Sequence, residues 1–161
     1  MKILSNIPNM DDNALARLMN NARAMLVKSP ENQDAAKVIE YIEVEWQKRL
    51  HLFQSGKYKA STPENGVLSI VGYKVGNDGG KLRARRQILD YIMSGTLPPV
   101  GSPAYIAEWG EPLTRKRYVK LHRVIRVLAS SGQTLGTMEK AVSDWEDDLL
   151  YLEQEWAPRF H

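Results

Sequence analysis

Apolar residues recur at spacings of three and four along most of this chain, the period of an α-helix with one buried face. Over residues 11–27, Leu15, Leu18, Met19, Ala22 and Leu26 share one side. The next segment, beginning after Ser29, presents Ala35, Ile39, Ile42, Trp46, Leu50 and Phe53 as a second stripe. Two longer helices are predicted near 82–94 and 115–130, and two short ones near 63–71 and 103–109. The clearest is the last, 138–156, where Met138, Ala141, Val142, Trp145, Leu149, Leu152 and Trp156 fall within an arc of about 100°.

Punctuation agrees with this period. Ser29-Pro30, Thr62-Pro63 and Ser102-Pro103 each pair a capping hydroxyl with a proline suited to a first helical position, and Thr114 and Thr137 are further cap candidates. Gly56, Gly72, Gly95, Gly110 and Gly132 stand where helices are expected to stop. Residues 67–75 can be read as a strand, but Thr62-Pro63-Glu64 argues for a helix start there. The reading is an all-α chain: a small bundle of about six helices. A helical hairpin is expected over 1–56. The polar stretch QSGKYKASTPEN then leads into a helical subdomain over 57–161 with basic helices and an acidic C-terminal one.

Composition narrows the classes. With 161 residues, 43% of them hydrophobic and 25% charged, the chain can bury a core and is not expected to be disordered. No apolar run approaches the ~20 residues of a membrane span, and MKILSNIPNM lacks the apolar segment of a signal peptide. The absence of cysteine excludes disulfides and thiolate metal sites; a cytoplasmic location is the expectation.

Charge changes the picture more. The net +3 conceals a balance of zero over 1–56, +8 over 57–126 and −5 over 127–161. Segregation of this kind points to an acidic partner, or to a match between a basic and an acidic surface.

The stretch GYKVGNDGGKLRARR, residues 72–86, sits within the basic region. A phosphate-cradling loop needs G-x-x-x-x-G-K-[ST] after a strand. Here the spacing from Gly76 to Gly80-Lys81 is one residue short, and Leu82 replaces the magnesium-binding hydroxyl. It reads as a glycine turn. Beyond it, Lys81, Arg83, Arg85 and Arg86 crowd the start of a helix, the end whose dipole disfavours cations. An external anion would offset them.

A second cluster, LTRKRYVKLHRVIRVL, places Tyr118, Leu121, Val124, Ile125 and Leu128 on one side of a helix. Arg115, Lys116, Lys120, Arg123 and Arg126, with His122, spread over the other. With the short helix and glycine turn before it, this is the outline of a helix-turn-helix. IAEWGEPLTRKRY resembles the helix-turn-helix start of excisionase-like DNA-binding domains, and ARRQILDYIMSGTLPPVG resembles their recognition helix and the segment after it. The resemblance implies DNA binding, with the helix bearing Arg85 and Arg86 in the major groove. The basic wing such domains carry after this segment is replaced here by Gly101-Ser102-Pro103.

Catalytic candidates are few. His51, His122 and His161 are dispersed: His51 suits a helix C-terminal end, and His122 lies among arginines. Asp144, Asp147 and Asp148, with Asp147 on the outside of the helix and Asp148 at the edge of its apolar stripe, read as a solvated acidic face, without the glycine-bearing loop of a calcium site. Trp145 and Trp156 fall on the apolar stripe of the last helix and read as core. No nucleophile is paired with a base. The reading is therefore a non-enzymatic protein with no cofactor or metal. Its nucleic-acid contacts are expected at Lys81, Arg83, Arg85, Arg86, Arg115, Lys116, Lys120, Arg123 and Arg126. The alternative is a protein-interaction module, an accessory or inhibitor protein of a bacterium or mobile element, whose charged surfaces pair within the chain, between two copies or with an acidic protein surface.

Overall fold

A computed structural model describes residues 2–60 and 66–160. It is 72% helical, with no strand among the described residues: the chain is all-α. Two compact units interleave along the sequence. One comprises Met1–Gly72 with Thr96–Ala107, the other Tyr73–Gly95 with Glu108–His161.

The first unit is built on a hairpin of α2 (Asp12–Lys28) and α3 (Gln33–Gln54), preceded by a short α1 (Lys2–Asn6) that the hydrophobic pattern does not reveal. Asp11 caps α2 by accepting the Ala14 N–H at 2.7 Å, and Asn32 caps α3 by accepting that of Ala35 at 3.0 Å. Ser29-Pro30 is therefore not a helix start. Ser29 ends α2 by donating its N–H to Met25, and Pro30 lies in the connection. Leu15, Met19 and Ala22 face Ala35, Val38, Ile42, Trp46 and Phe53 in the core. Ile39 and Leu50 of the expected stripe are only half-buried, while Glu45 and Arg49 are buried. The reason is electrostatic. Arg49 donates to Asp12 at 2.8 Å and to the Met10 carbonyl at 2.6 Å, and Tyr58 donates to the other Asp12 oxygen at 2.9 Å. Burial, then that hydrogen bond, pushes the Tyr58 phenol up to about 12.

A short α4 (Val67–Ile70) and α6 (Pro103–Ala107) complete this unit. Asn20 donates to the Val71 carbonyl, the Tyr105 hydroxyl accepts the Val67 N–H, and Glu43 accepts that of Thr96. Residues 67–70 are thus helical, not strand; Thr62-Pro63 lies outside the described residues.

In the second unit α5 (Leu82–Ser94), α7 (Arg115–Leu135) and α8 (Glu139–Glu155) pack together. α7 and α8 are antiparallel: Gln133 reaches Glu146 near their connection, and His122 reaches Glu153 farther along. α5 runs in the direction of α8, with Arg85 beside Asp148 and Asp90 beside Trp156. Thr114 caps α7 as expected, accepting from the Arg117 N–H at 3.3 Å. Thr137 caps nothing, because Met138 occupies the cap position of α8.

Gly132 does not stop α7 either. The helix continues to Leu135 and closes on Gly136, whose φ of 69° is left-handed. Gly132 instead lets α8 approach. A Cβ there would stand 2.8 Å from Val142 Cγ2 and 2.9 Å from Trp145 Cζ3. Gly132→Ala gains about 1 kcal/mol of helix propensity, yet the overpacking should leave a net loss of about 1–2 kcal/mol. Urea denaturation measures it; an unchanged or raised midpoint would show that the two helices separate freely.

Candidate functional site

The first basic cluster opens α5. Its cap residue, Lys81, makes no side-chain cap. Arg85, expected among the nucleic-acid contacts, is instead buried at 2% exposure. Its Nε donates to Asp148 Oδ2 at 2.9 Å, its Nη2 to Oδ1 at 3.3 Å, and its Nη1 to the Gly80 carbonyl at 2.9 Å. Asp144 lies 3.7 Å from the same guanidinium. The counter-charge that the crowded helix start demands therefore comes from α8.

Asp144 and Asp148 consequently do not belong to a solvated acidic face; only Asp147 of the three is exposed. Asp148 also accepts the Tyr73 hydroxyl at 2.6 Å, and Asp144 accepts the Gly76 N–H at 2.9 Å and the Lys140 ammonium at 2.6 Å. Burial pushes the Asp144 carboxyl up, but Lys140, the Gly76 amide and Arg85 together outweigh it and hold it below the usual range. Burial and the bond to Asp148 drive the Tyr73 phenol far upward. The glycine stretch is the turn that delivers these groups. Gly76 has a φ of 88°, and a side chain at Gly79 would strike the Val75 backbone.

The remaining cations of this cluster are dispersed. Arg86 is half-buried, with its guanidinium 4.8 Å from the centre of the Tyr151 ring. Tyr151 and Trp156 both donate to Asp90. Lys81 and Arg83 are exposed.

α7 keeps its cations together. Arg117, Leu121, Ile125, Ala129 and Gly132 form its buried face. Arg115, Lys116, Arg123 and Arg126 are exposed on the other side, with Val119 among them at 38% exposure. Lys120 is half-buried, 3.6 Å from Glu108 and 5.9 Å from the Trp109 ring. Arg115, Lys116, Val119, Lys120 and Arg123, with Glu108, line one open depression of about 540 Å³.

Arg117 is a different kind of cation. It donates to the carbonyls of Ile92, Gly95, Trp109 and Gly110, tying the start of α7 to the end of α5. Its signal in the sequence is its spacing of four from Leu121 and eight from Ile125, which puts it on the buried stripe. His122, on the polar side of α7, bonds Glu153 of α8 at 2.9 Å. His51 lies in the last turn of α3, exposed, as a dipole partner would; His161 lies outside the described residues. Trp145, Trp156 and also Trp109 are buried. Of the expected helix-turn-helix, α6 belongs to the first compact unit and α7 to the second. Among the described residues no group of three or more His, Asp or Glu side chains could hold a metal ion.

Asp148→Ala leaves Arg85 without its main partner and should cost about 3–5 kcal/mol in chemical denaturation, with Asp148→Asn costing less. Asp144 titrates lower folded than unfolded. Its contribution is complete above its unfolded value near 4 and is lost as pH falls through the folded one, so Asp144→Asn should flatten the acid loss of stability below about pH 4. Set against known proteins, the chain matches no family model, no curated protein and no solved structure.

Proposed function

We propose that this protein binds nucleic acid, DNA in the first place, through the phosphate backbone and along the outer face of α7. The observation that carries this reading is the depression on that helix, where Arg115, Lys116, Lys120 and Arg123 converge around Val119. Glu108 is its one carboxylate among the described residues, and it is 58% exposed. A row of cations on a straight helix suits a row of phosphates and supplies affinity without sequence readout.

Duplex is favoured over single strands on a second ground. Single-strand binders stack bases on exposed aromatic rings. Here Trp109 is buried and Tyr118 is half-buried, its ring 5.6 Å from that of His122. The α5 helix contributes little to this surface, since Arg85 is paired internally and Arg86 stacks on Tyr151. This departs from the excisionase-like pattern, in which that helix would enter the groove. The role is one of binding without catalysis.

Fluorescence anisotropy with a labelled duplex at several salt concentrations tests the reading. Four to five phosphate contacts predict a log–log slope of about −4. The Lys116→Glu, Arg123→Glu double variant should weaken binding at least tenfold and reduce the slope by about 2. Arg83→Glu should change either little. No binding at low salt, or a slope near zero, rules the reading out.

A further inference from the structure

The outer side of α8 is as acidic as that of α7 is basic. Glu139, Glu146, Leu150 and Glu153 are all exposed and, at about 100° per residue, lie within about 60° of one another. On α7, Arg115, Val119, Arg123 and Arg126 are exposed within about 80°. Two contacts show that these columns border one seam. Glu146 accepts from Gln133 and Glu153 meets His122. Gln133 and His122 sit on the flank of α7 next to Arg115 and Arg126. One face of the unit thus carries a basic column beside an acidic one. Among the described residues, no ion pair joins Arg115, Arg123 or Arg126 to a carboxylate of the same chain.

We infer that two copies of this chain associate through that face, each laying its α7 along the partner's α8. The symmetry follows from the arrangement. A two-fold axis parallel to the helices exchanges the columns, so basic meets acidic twice and the contact closes on itself. An axis across the helices would set α7 against α7 and repel. The parallel axis also preserves height. His122 lies level with Glu153 and Gln133 with Glu146, so Arg123 and Arg126 fall between the partner's Glu153 and Glu146. Leu150, 51% exposed, loses water in the middle of the contact. Lys116 and Lys120 stay outside it, whereas Arg123 belongs to both surfaces, so the dimer and nucleic acid compete for that cation. The inference goes beyond that reading and does not depend on it.

Charge reversal separates this from any other mode of association. At low ionic strength sedimentation should show a dimer of the native chain that dissociates as salt is raised. Arg123→Glu with Arg126→Glu sets acid against acid, and Glu146→Arg with Glu153→Arg sets base against base. Each double variant alone should be monomeric, its dissociation constant raised at least about a hundredfold. Mixed in equal amounts, the two restore both complementary contacts and should form a heterodimer. The variant at Glu146 and Glu153 keeps every cation of α7 and should bind duplex at least as tightly as the native chain. A failure of the nucleic-acid reading therefore appears in anisotropy, and a failure of this one in sedimentation. A native chain monomeric at low salt, a double variant that still dimerises, or a mixture no larger than its components would each overturn the inference.

Discussion

The ion pair between Arg85 and Asp148 governs how charge is distributed over the second unit. A guanidinium in the second turn of α5 stands at the positive end of a helix and inside the packed unit, which is doubly unfavourable. Asp148 engages it through both oxygens, Asp144 adds a second carboxylate, and Tyr73, Gly76 and Lys140 occupy the acceptors that remain. Desolvated charges persist only when satisfied to this degree. The arrangement also ties the glycine turn and the α5 helix that follows it to α8, far along the chain.

What that cluster consumes decides what the surface retains. Two carboxylates of the acidic helix and one arginine of the basic helix are withdrawn from solvent, which weakens α5 as a basic surface. α7 loses only Arg117 to the interior. Its outer cations and the outer carboxylates of α8 are left as two strips of opposite sign on adjacent antiparallel helices, and the functional proposals rest on those strips. The first unit repeats the device. Arg49, Asp12 and Glu45 form a buried cluster, flanked by the half-buried Tyr58, that draws the start of the chain and the end of the hairpin together.

The helical architecture was legible because period and punctuation act locally. The limits 82–94 coincide with α5, and Thr114 caps the helix it was expected to cap. What was not legible depends on partners far along the chain. Ser29-Pro30 looks like a start, but whether a hydroxyl caps depends on the backbone it meets, and Asn32 is better placed. Gly132 looks like a stop, yet its lack of a side chain is spent on the approach of Trp145. Arg85 stands four residues before Leu89 and eight before Met93, on the buried stripe of α5, but what satisfies its charge there is not local. Its partner stands 63 positions away. On α7 the same spacing sets Arg117 apart from Arg115 and Lys116.

The two arginine anchors of this unit differ in what they hold on to. Arg85 grips carboxylates, and one of them, Asp144, gives up its charge only below the usual carboxylate range. Arg117 grips peptide carbonyls, two of them at the end of α5, where such oxygens lack helical partners. Carbonyls do not titrate and a guanidinium stays protonated, so this clasp is indifferent to proton concentration. The two ends of α5 therefore answer differently to acidification. The junction with α7 keeps its contacts in acid, while the end beside the glycine turn loses the counter-charge that Asp144 supplies.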